Sequence, residues 1–208
     1  MLKVKVCGLT DPENLKDIIK TSPDFIGYNF CDGSKRYVGK VPQDILFRYV
    51  PESICKTGVF VNEDLDRVTE TIEKYQLDFV QLHGNESAGY CKGLAKRGFK
   101  IIKAFEVNDQ FDFTLLKEYE DACEYFLFDN RTGHSGGSGL KFTWNKLSEY
   151  YLKKLFFLAG GIGPEDVLII KQINHDLLYA VDINSRFELY PGMKDPIRIK
   201  KFIDEIKR

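Results

Sequence analysis

Eight strand-like segments recur along the 208 residues of this chain, and each precedes a stretch with helical periodicity. Several of these segments, such as Phe126-Leu127-Phe128, are apolar on both faces. That pattern is typical of strands in a parallel sheet that helices cover. The predicted strands lie near Lys3–Cys7, Phe25–Phe30, Thr57–Val61, Phe79–His83, Lys100–Phe105, Tyr125–Asp129, Leu155–Ala159 and Tyr179–Ile183.

Helix-start signals support the intervening helices. Asp11-Pro12 supplies an N-cap and a first-turn proline before a helix that runs toward Thr21. A further helix is predicted over Glu63–Tyr75, and Pro164 opens another toward Gln172. Late in the sequence, an apolar stripe amid charged residues predicts a helix with a solvated charged face. The stripe consists of Ile199, Phe202, Ile203 and Ile206.

An unbroken series of eight strand–helix units predicts an α/β fold, a single (βα)₈ TIM barrel spanning residues 1–208. A doubly wound open sheet is the competing interpretation, because βα alternation alone does not determine whether the sheet closes. The count of eight and the lack of an early GxGxxG motif favour the barrel.

Composition narrows the classes of partner. A formal net charge of −1 does not favour nucleic-acid binding. The sequence contains no apolar run of 18 residues, so no membrane span is predicted. The first residues alternate like a strand and lack the apolar core of a signal peptide. Five cysteines without CxxC spacing argue against a disulfide framework or a zinc site. We therefore expect a cytoplasmic protein, monomeric or homodimeric, that binds neither nucleic acid nor membranes.

Reactive side chains stand where the predicted strands end, which is the edge at which such barrels build active sites. Cys7 ends the first strand, His83 the fourth and Asp129 the sixth, and Asp182 nearly ends the eighth. Side chains two positions apart in a strand share a face. The pairs that share a face in this way are Lys5 with Cys7, Gln81 with His83, and Ala180 with Asp182.

A carboxylate follows an apolar strand directly at Asp129, and a glycine-rich loop comes next. An acid in such surroundings must be hydrogen-bonded, paired with a cation or functional. The glycines of the loop let its backbone approach a ligand closely, and the composition of residues 130–135 suggests a closing lid. These features predict chemistry on a phosphorylated or sugar-like small molecule.

A separate signal lies in the last two loops of the predicted barrel. Gly160 and Gly161 stand between the seventh strand and the next helix, and Asn184 and Ser185 follow the eighth strand. Barrels often bind phosphate with these two loops through backbone N–H groups. We predict a phosphate site formed by these four residues, with tight turns as the alternative role of the glycines.

The other candidates also have purely structural interpretations. Cys7 could be a small buried hydrophobic residue, like the remaining cysteines, and His83 could cap its strand. Arg36, in the loop after the second strand, could be a surface arginine. His134 and His175 are expected to be exposed. No spacing of His, Cys or acidic residues matches a metal site, so no metal is predicted.

Short motifs stand along the whole chain in an order and spacing shared with a known family. They are Lys5-Val6-Cys7-Gly8-Leu9-Thr10, Ser34-Lys35-Arg36-Tyr37-Val38, Gly58-Val59-Phe60-Val61-Asn62, Val80-Gln81-Leu82-His83-Gly84, Phe128-Asp129, Gly136-Gly137-Ser138-Gly139 with Phe142 and Trp144, Ala159-Gly160-Gly161-Ile162, Val181-Asp182 and Pro191-Gly192-Met193-Lys194-Asp195. In these motifs the chain resembles the phosphoribosylanthranilate isomerases of tryptophan biosynthesis.

The resemblance implies a cofactor-independent Amadori rearrangement of N-(5-phosphoribosyl)anthranilate to 1-(2-carboxyphenylamino)-1-deoxyribulose 5-phosphate. It implies Asp129 as the acid that opens the ribose ring and Cys7 as the base that removes the C2 proton. Arg36 would hold the anthranilate carboxylate, and backbone around Gly161 and Ser185 would hold the phosphate. The other predicted substrate-binding residues are Lys5, Gln81, His83 and Asp182.

Both catalytic roles need help from neighbours. A cysteine with a pKa of about 8.5 is mostly thiol at neutral pH, so a base needs a cation beside it. Lys5, on the same strand face as Cys7, is the predicted cation. A proton-donating aspartate needs desolvation, and the apolar strand before Asp129 is the predicted source.

One loop departs from the family pattern. The family commonly has Ser-Ser-Gly after the position of Asp182, whereas this chain has Asn184-Ser185-Arg186. Arg186 is therefore either a phosphate contact or an outward-pointing side chain.

Two other functions compete with this interpretation. A related isomerase of histidine biosynthesis is expected to have an aspartate where Cys7 stands. A non-catalytic barrel that binds phosphorylated ligands would need neither Cys7 nor Asp129.

Overall fold

The structure is a computed structural model that describes residues 1–40, 43–129 and 144–208. The predicted lid at residues 130–135, the glycines at 136–139 and Phe142 lie outside these ranges.

Eight parallel strands pair in sequence order, and the last pairs with the first to close a barrel. This closure confirms the (βα)₈ barrel and excludes the open doubly wound sheet. The strands are β1 (Lys3–Cys7), β2 (Phe25–Asn29), β3 (Cys55–Phe60), β4 (Phe79–Leu82), β5 (Ile101–Glu106), β6 (Tyr125–Asp129), β7 (Phe156–Ala159) and β8 (Leu178–Ile183).

Helices connect the strands, and a small hairpin follows the barrel. The α-helices in the described ranges are α1 (Pro12–Lys20), α2 (Gln43–Arg48), α3 (Leu65–Tyr75), α4 (Ala88–Lys96), α5 (Val167–Gln172) and α6 (Pro196–Ile206). Short 3₁₀-helices occupy Val38–Lys40, Phe113–Tyr119, Trp144–Glu149, Pro164–Asp166 and Ser185–Phe187. The antiparallel hairpin consists of β9 (Glu188–Tyr190) and β10 (Met193–Lys194).

The sequence signals for helix starts act as expected. The carboxylate of Asp11 accepts a hydrogen bond from the backbone N–H of Asn14, 2.7 Å away, and Pro12 opens α1. Asp64 and Asp195 cap α3 and α6 in the same way. The predicted apolar stripe of α6 is buried along its whole length.

The connection between β5 and β6 departs from the predicted pattern, because its helix is a 3₁₀-helix. Its buried side chains, Phe113 and Leu116, are three residues apart, which matches the three-residue turn of a 3₁₀-helix. The helix after Pro164 is likewise shorter than predicted, because a 3₁₀ turn precedes α5.

Aromatic side chains fill one end of the barrel interior. The ring of Phe25 packs edge-on against Phe79 and Phe157, with centroids 5.6 and 5.2 Å apart, and Tyr125 stacks on Tyr179 at 4.7 Å. This apolar plug lies at the amino ends of the strands, at the end of the barrel opposite Cys7 and Asp129. Within the described residues, no helix is both long and apolar enough to cross a membrane.

Candidate active site

A buried lysine lies at the bottom of the site. Lys5 on β1 lies directly opposite Asp182 on β8 in the barrel register, and its side chain is fully buried. Its Nζ atom lies 2.7 Å from Oδ2 of Asp182 and 2.7 Å from Oε1 of Gln81. Burial lowers the pKa of Lys5, but the neighbouring Asp182 and Cys7 outweigh burial and raise it above its ordinary value. The ammonium therefore stays charged.

A hydrogen-bonded series continues from the amide of Gln81. Nε2 of Gln81 lies 2.9 Å from Nδ1 of His83, and Nε2 of His83 lies 3.0 Å from Oδ2 of Asp129. Gln81 is 1% exposed and Asp129 7% exposed. Strand alternation predicted that Gln81 and His83 share a face. The structure shows that this face points into the barrel, where side chains of β8, β1, β4 and β6 meet.

The thiol of Cys7 sits in the same polar interior. Burial raises the pKa of Cys7, whereas the charges of Lys5 and Lys194 act in the opposite direction. Burial prevails, so the pKa lies above its ordinary value. Lys5 is therefore the cationic neighbour that the sequence predicted, but it does not by itself make the thiolate the resting form.

Asp182 presents an oxygen to the interior. Burial raises the pKa of this carboxyl group, and Lys5 acts against that shift. Oδ1 of Asp182 is buried and has no hydrogen-bond partner among the described residues. Such an atom is costly to leave unpaired, so it is suited to accept a hydrogen bond from a bound molecule.

Arg36 enters the site from the loop after β2 and is held by the hairpin. Its Nε and Nη2 atoms donate to the two carboxylate oxygens of Glu188, at 2.7 and 2.5 Å. Lys194 on β10 donates to Oε1 of Glu188 and to Oδ1 of Asn184, both at 2.7 Å. Arg36 is thus a positioned cation and not a loose surface side chain.

The hairpin carboxylate is strongly stabilised in its charged form. Burial raises the pKa of Glu188, but hydrogen bonds from Arg36, Lys194 and the backbone of Gly192 outweigh burial and lower it to about 2. Burial lowers the pKa of Lys194, with Glu188 opposing. Two cations therefore share one carboxylate, which leaves positive charge at this side of the site.

The two loops predicted to bind phosphate lie beside one another. Gly160 and Gly161 have φ angles of 93° and 63°, a conformation that favours glycine and that can curl backbone N–H groups around an anion. Across from them, Arg186 donates to Oε1 of Glu165 at 2.6 Å, and both side chains are more than half exposed. The extra arginine therefore pairs with a neighbouring loop.

An ion pair anchors the loop after β4. Lys103 donates to the backbone carbonyl of Gly84 at 2.8 Å and lies 3.2 Å from Oε2 of Glu86. Glu86 in turn accepts from the N–H groups of Asn62 and Gly84. These buried contacts support the strand end that carries His83.

One cavity of about 280 Å³ brings most of the predicted site residues together. Lys5 is the exception, because it lies beneath the cavity and contacts it through Gln81 and Asp182. The predicted residues that line the cavity are Cys7, Arg36, Gln81, His83, Asp129, Gly160, Gly161, Asp182, Asn184 and Ser185.

Sequence reasoning missed Glu188 and Lys194. Both lie beyond the eighth strand, where the strand-end argument no longer applies, and the hairpin strands are too short for a periodic pattern. Lys194 does belong to the motif Pro191-Gly192-Met193-Lys194-Asp195, which resembles the family, and that motif could have marked it as a candidate site residue. Among the described residues, no cluster of three His, Cys, Asp or Glu side chains could hold a metal ion.

A family model described as N-(5'-phosphoribosyl)anthranilate (PRA) isomerase matches residues 4–205. The chain belongs to the phosphoribosylanthranilate isomerase family. The N-(5'-phosphoribosyl)anthranilate isomerase of Parabacteroides distasonis is 40% identical over 204 residues, which cover 98% of this chain and 92% of the relative. That of Phocaeicola vulgatus is 36% identical over 205 residues, with 99% and 98% covered.

Solved structures of phosphoribosylanthranilate isomerases share the fold over the whole chain. The enzyme from Thermotoga maritima superposes with a TM-score of 0.83 at 32% identity, covering 100% of this chain and 99% of that one. Another isomerase structure, in complex with reduced 1-(o-carboxyphenylamino)-1-deoxyribulose 5-phosphate, has a TM-score of 0.81, 30% identity and the same coverage.

Proposed function

We propose that this chain is the aldose–ketose isomerase of tryptophan biosynthesis that converts N-(5-phosphoribosyl)anthranilate into 1-(2-carboxyphenylamino)-1-deoxyribulose 5-phosphate. One observation carries the proposal. A thiol on β1, Cys7, and a carboxyl group on β6, Asp129, line one cavity together with the guanidinium of Arg36. The reaction needs an acid, a base and a carboxylate clamp, and the cavity contains one group for each. Because only protons move, no cofactor is required.

Asp129 acts in the first step. Its carboxyl group gives a proton to the ring oxygen of the ribose, the bond from C1 to that oxygen breaks, and the lone pair of the anthranilate nitrogen forms a protonated imine. The side chain is 7% exposed and lines the cavity, so its carboxyl group can reach a molecule bound there.

Cys7 acts in the second step. The thiolate takes the C2 proton, the C–H electron pair forms a C1–C2 double bond, and the imine electrons return to nitrogen to give an enolamine. The enolamine then loses its C2 hydroxyl proton and gains a proton at C1, which yields the ketone. One proton must pass from Cys7 to Asp129 through solvent to reset the enzyme.

Substrate binding is shared among three regions of the cavity. Arg36 uses two of its five N–H donors for Glu188, which leaves donors for the anthranilate carboxylate. Oδ1 of Asp182, which lacks a partner among the described residues, accepts from a sugar hydroxyl. Backbone at Gly160, Gly161 and Ser185 holds the phosphate, at the loops where barrels commonly do so.

We further propose that residues 1–208 act as one catalytic domain in the cytoplasm, as a monomer or homodimer. All five cysteines are free thiols, which suits a reducing compartment. A structure that is 30% identical to this chain contains monomers generated from the dimeric isomerase of Thermotoga maritima. Sedimentation of the purified protein decides between the two states.

Turnover of freshly prepared phosphoribosylanthranilate, followed by the loss of its fluorescence, tests the function. Cys7→Ala and Asp129→Asn should each abolish measurable turnover while leaving the circular dichroism spectrum unchanged. Cys31→Ala, at a partly exposed cysteine outside the cavity, should keep wild-type activity. No turnover by the wild-type protein would refute the function, and full activity of either site variant would refute that residue's role.

A further inference from the structure

We propose that Lys5 and Gln81 are positioning residues that hold His83 as the neutral imidazole with its proton on Nε2. His83 then donates to Oδ2 of Asp129 without placing a positive charge beside that carboxyl group. The inference rests on the proposed role of Asp129 as the proton donor. It assigns to Lys5, Gln81 and His83 a task other than contact with the substrate.

The first link is the ammonium of Lys5, which can only donate hydrogen bonds. It is fully buried, and Nζ lies 2.7 Å from Oδ2 of Asp182 and 2.7 Å from an atom of the Gln81 amide. That amide atom must be an acceptor, because an amide NH₂ group would place donor against donor. The oxygen of Gln81 is therefore fixed toward Lys5 by chemistry.

The second link follows from the first. With its oxygen held by Lys5, the amide of Gln81 turns its NH₂ group toward Nδ1 of His83, 2.9 Å away. An NH₂ group donates and cannot accept, so Nδ1 must offer a lone pair. An imidazolium, which carries protons on both ring nitrogens, does not fit this contact.

The third link reaches the carboxyl group. A neutral imidazole without a proton on Nδ1 carries it on Nε2, and this N–H donates to Oδ2 of Asp129 across 3.0 Å. Oδ2 is thereby used as an acceptor. The carboxyl group of Asp129 therefore meets a neutral donor at Oδ2 and not a cation.

A neutral partner matters for an acid. An imidazolium beside Asp129 would form an ion pair and hold the carboxylate in its charged, proton-free form. A neutral N–H bonds to the protonated acid and bonds more strongly once the proton has left. The series therefore permits proton release without preventing proton retention.

Nitrogen-15 NMR of histidine-labelled protein tests the tautomer without reference to activity. The chain has three histidines, so His134→Asn and His175→Asn assign the remaining signals to His83. At neutral pH the wild-type spectrum should show a bare Nδ1 and a protonated Nε2. A proton on Nδ1 of His83 in the wild-type protein overturns the inference, whether or not the enzyme turns over its substrate.

Gln81→Glu tests the coupling, because a carboxylate accepts from Nδ1 instead of donating to it. Both ring nitrogens of His83 should become protonated, and kcat should fall at least about 100-fold, the size of a general acid's contribution, with little change in KM. An unchanged tautomer in this variant overturns the inference.

Two further variants distinguish an effect of the hydrogen-bonded series from non-specific disruption of the barrel interior. Thr57→Val, an isosteric change on the inward face of β3 at a buried hydroxyl without a partner among the described residues, should keep both tautomer and kcat. His83→Gln, which offers a neutral N–H donor and cannot become a cation, should retain a larger kcat than Gln81→Glu. A smaller kcat in His83→Gln than in Gln81→Glu argues against the neutral-donor role.

Discussion

The guanidinium of Arg36 makes two parallel hydrogen bonds to the carboxylate of Glu188, which stands 152 positions later in the sequence. The same carboxylate also accepts from Lys194. A planar, bidentate pair fixes a guanidinium more firmly than a single contact does. The guanidinium that we propose as the clamp for the substrate carboxylate is therefore held in place by the protein itself.

Replacing the hairpin carboxylate should destabilise the fold. Glu188→Gln leaves Arg36 and Lys194 without their shared counter-charge, and removing one partner of a buried pair costs about 3–5 kcal/mol. Urea unfolding at neutral pH measures the change. Glu165→Gln, which breaks the exposed pair with Arg186, serves as the control and should cost less than about 1 kcal/mol. Equal losses in both variants would contradict this account.

The same carboxylate should contribute to acid unfolding. The pKa of Glu188 falls from 4.5 to about 2 on folding, so between these pH values the unfolded chain binds more protons than the folded one. The resulting stability, about 3 kcal/mol at most, is complete above the unfolded value and is lost as the pH falls toward 2. The difference in unfolding free energy between wild type and Glu188→Gln should shrink over that range. A difference that stays constant with pH would refute the linkage.

The base should respond to the charge of Lys194. Positive charge at Lys194 lowers the pKa of Cys7, so Lys194→Met should raise it further. Cys7 is proposed to act as a thiolate, so kcat/KM should rise with pH, and the rise should move to higher pH in the variant. Lys200→Met, on the outer face of α6, should leave the profile unchanged. An identical profile in wild type and Lys194→Met would exclude this coupling.

The thiol also depends on a glycine beside it. A Cβ atom on Gly27 would lie 2.6 Å from Sγ and 3.1 Å from Cα of Cys7, so Gly27→Ala must displace the base. A displacement of about 1 Å can lower kcat about 100-fold. Gly33→Ala, where an added Cβ meets nothing within 4 Å, is the matched control. Steady-state kinetics compare the two variants, and equal kcat values would show that the site tolerates the crowding.

The barrel could be predicted from the sequence because the pattern that marks each strand is local. The predicted span Lys3–Cys7 agrees with β1, and Tyr125–Asp129 agrees with β6. Period-two alternation also paired Gln81 with His83 on one face. That this face points into the barrel follows from closure of the sheet, which only the structure shows through the pairing of β8 with β1.

Other features depend on contacts that no local pattern encodes. The pairing of Arg36 with Glu188 needs a loop after β2 and a hairpin after β8 to meet. The direction of the pKa shift of Cys7 depends on how completely the thiol is buried. Neither quantity can be read from residue spacing, because each is set by three-dimensional packing.

The ion pair between Lys5 and Asp182 joins β1 to β8, and the two residues are 177 positions apart in the sequence. A ribosome-bound chain that has not yet presented β8 would have to bury Lys5 without its counter-ion, which is energetically costly. The first strand therefore cannot settle into its final polar surroundings until the last one has been synthesised. Assembly of the cavity around Lys5 should therefore wait for β8 during synthesis.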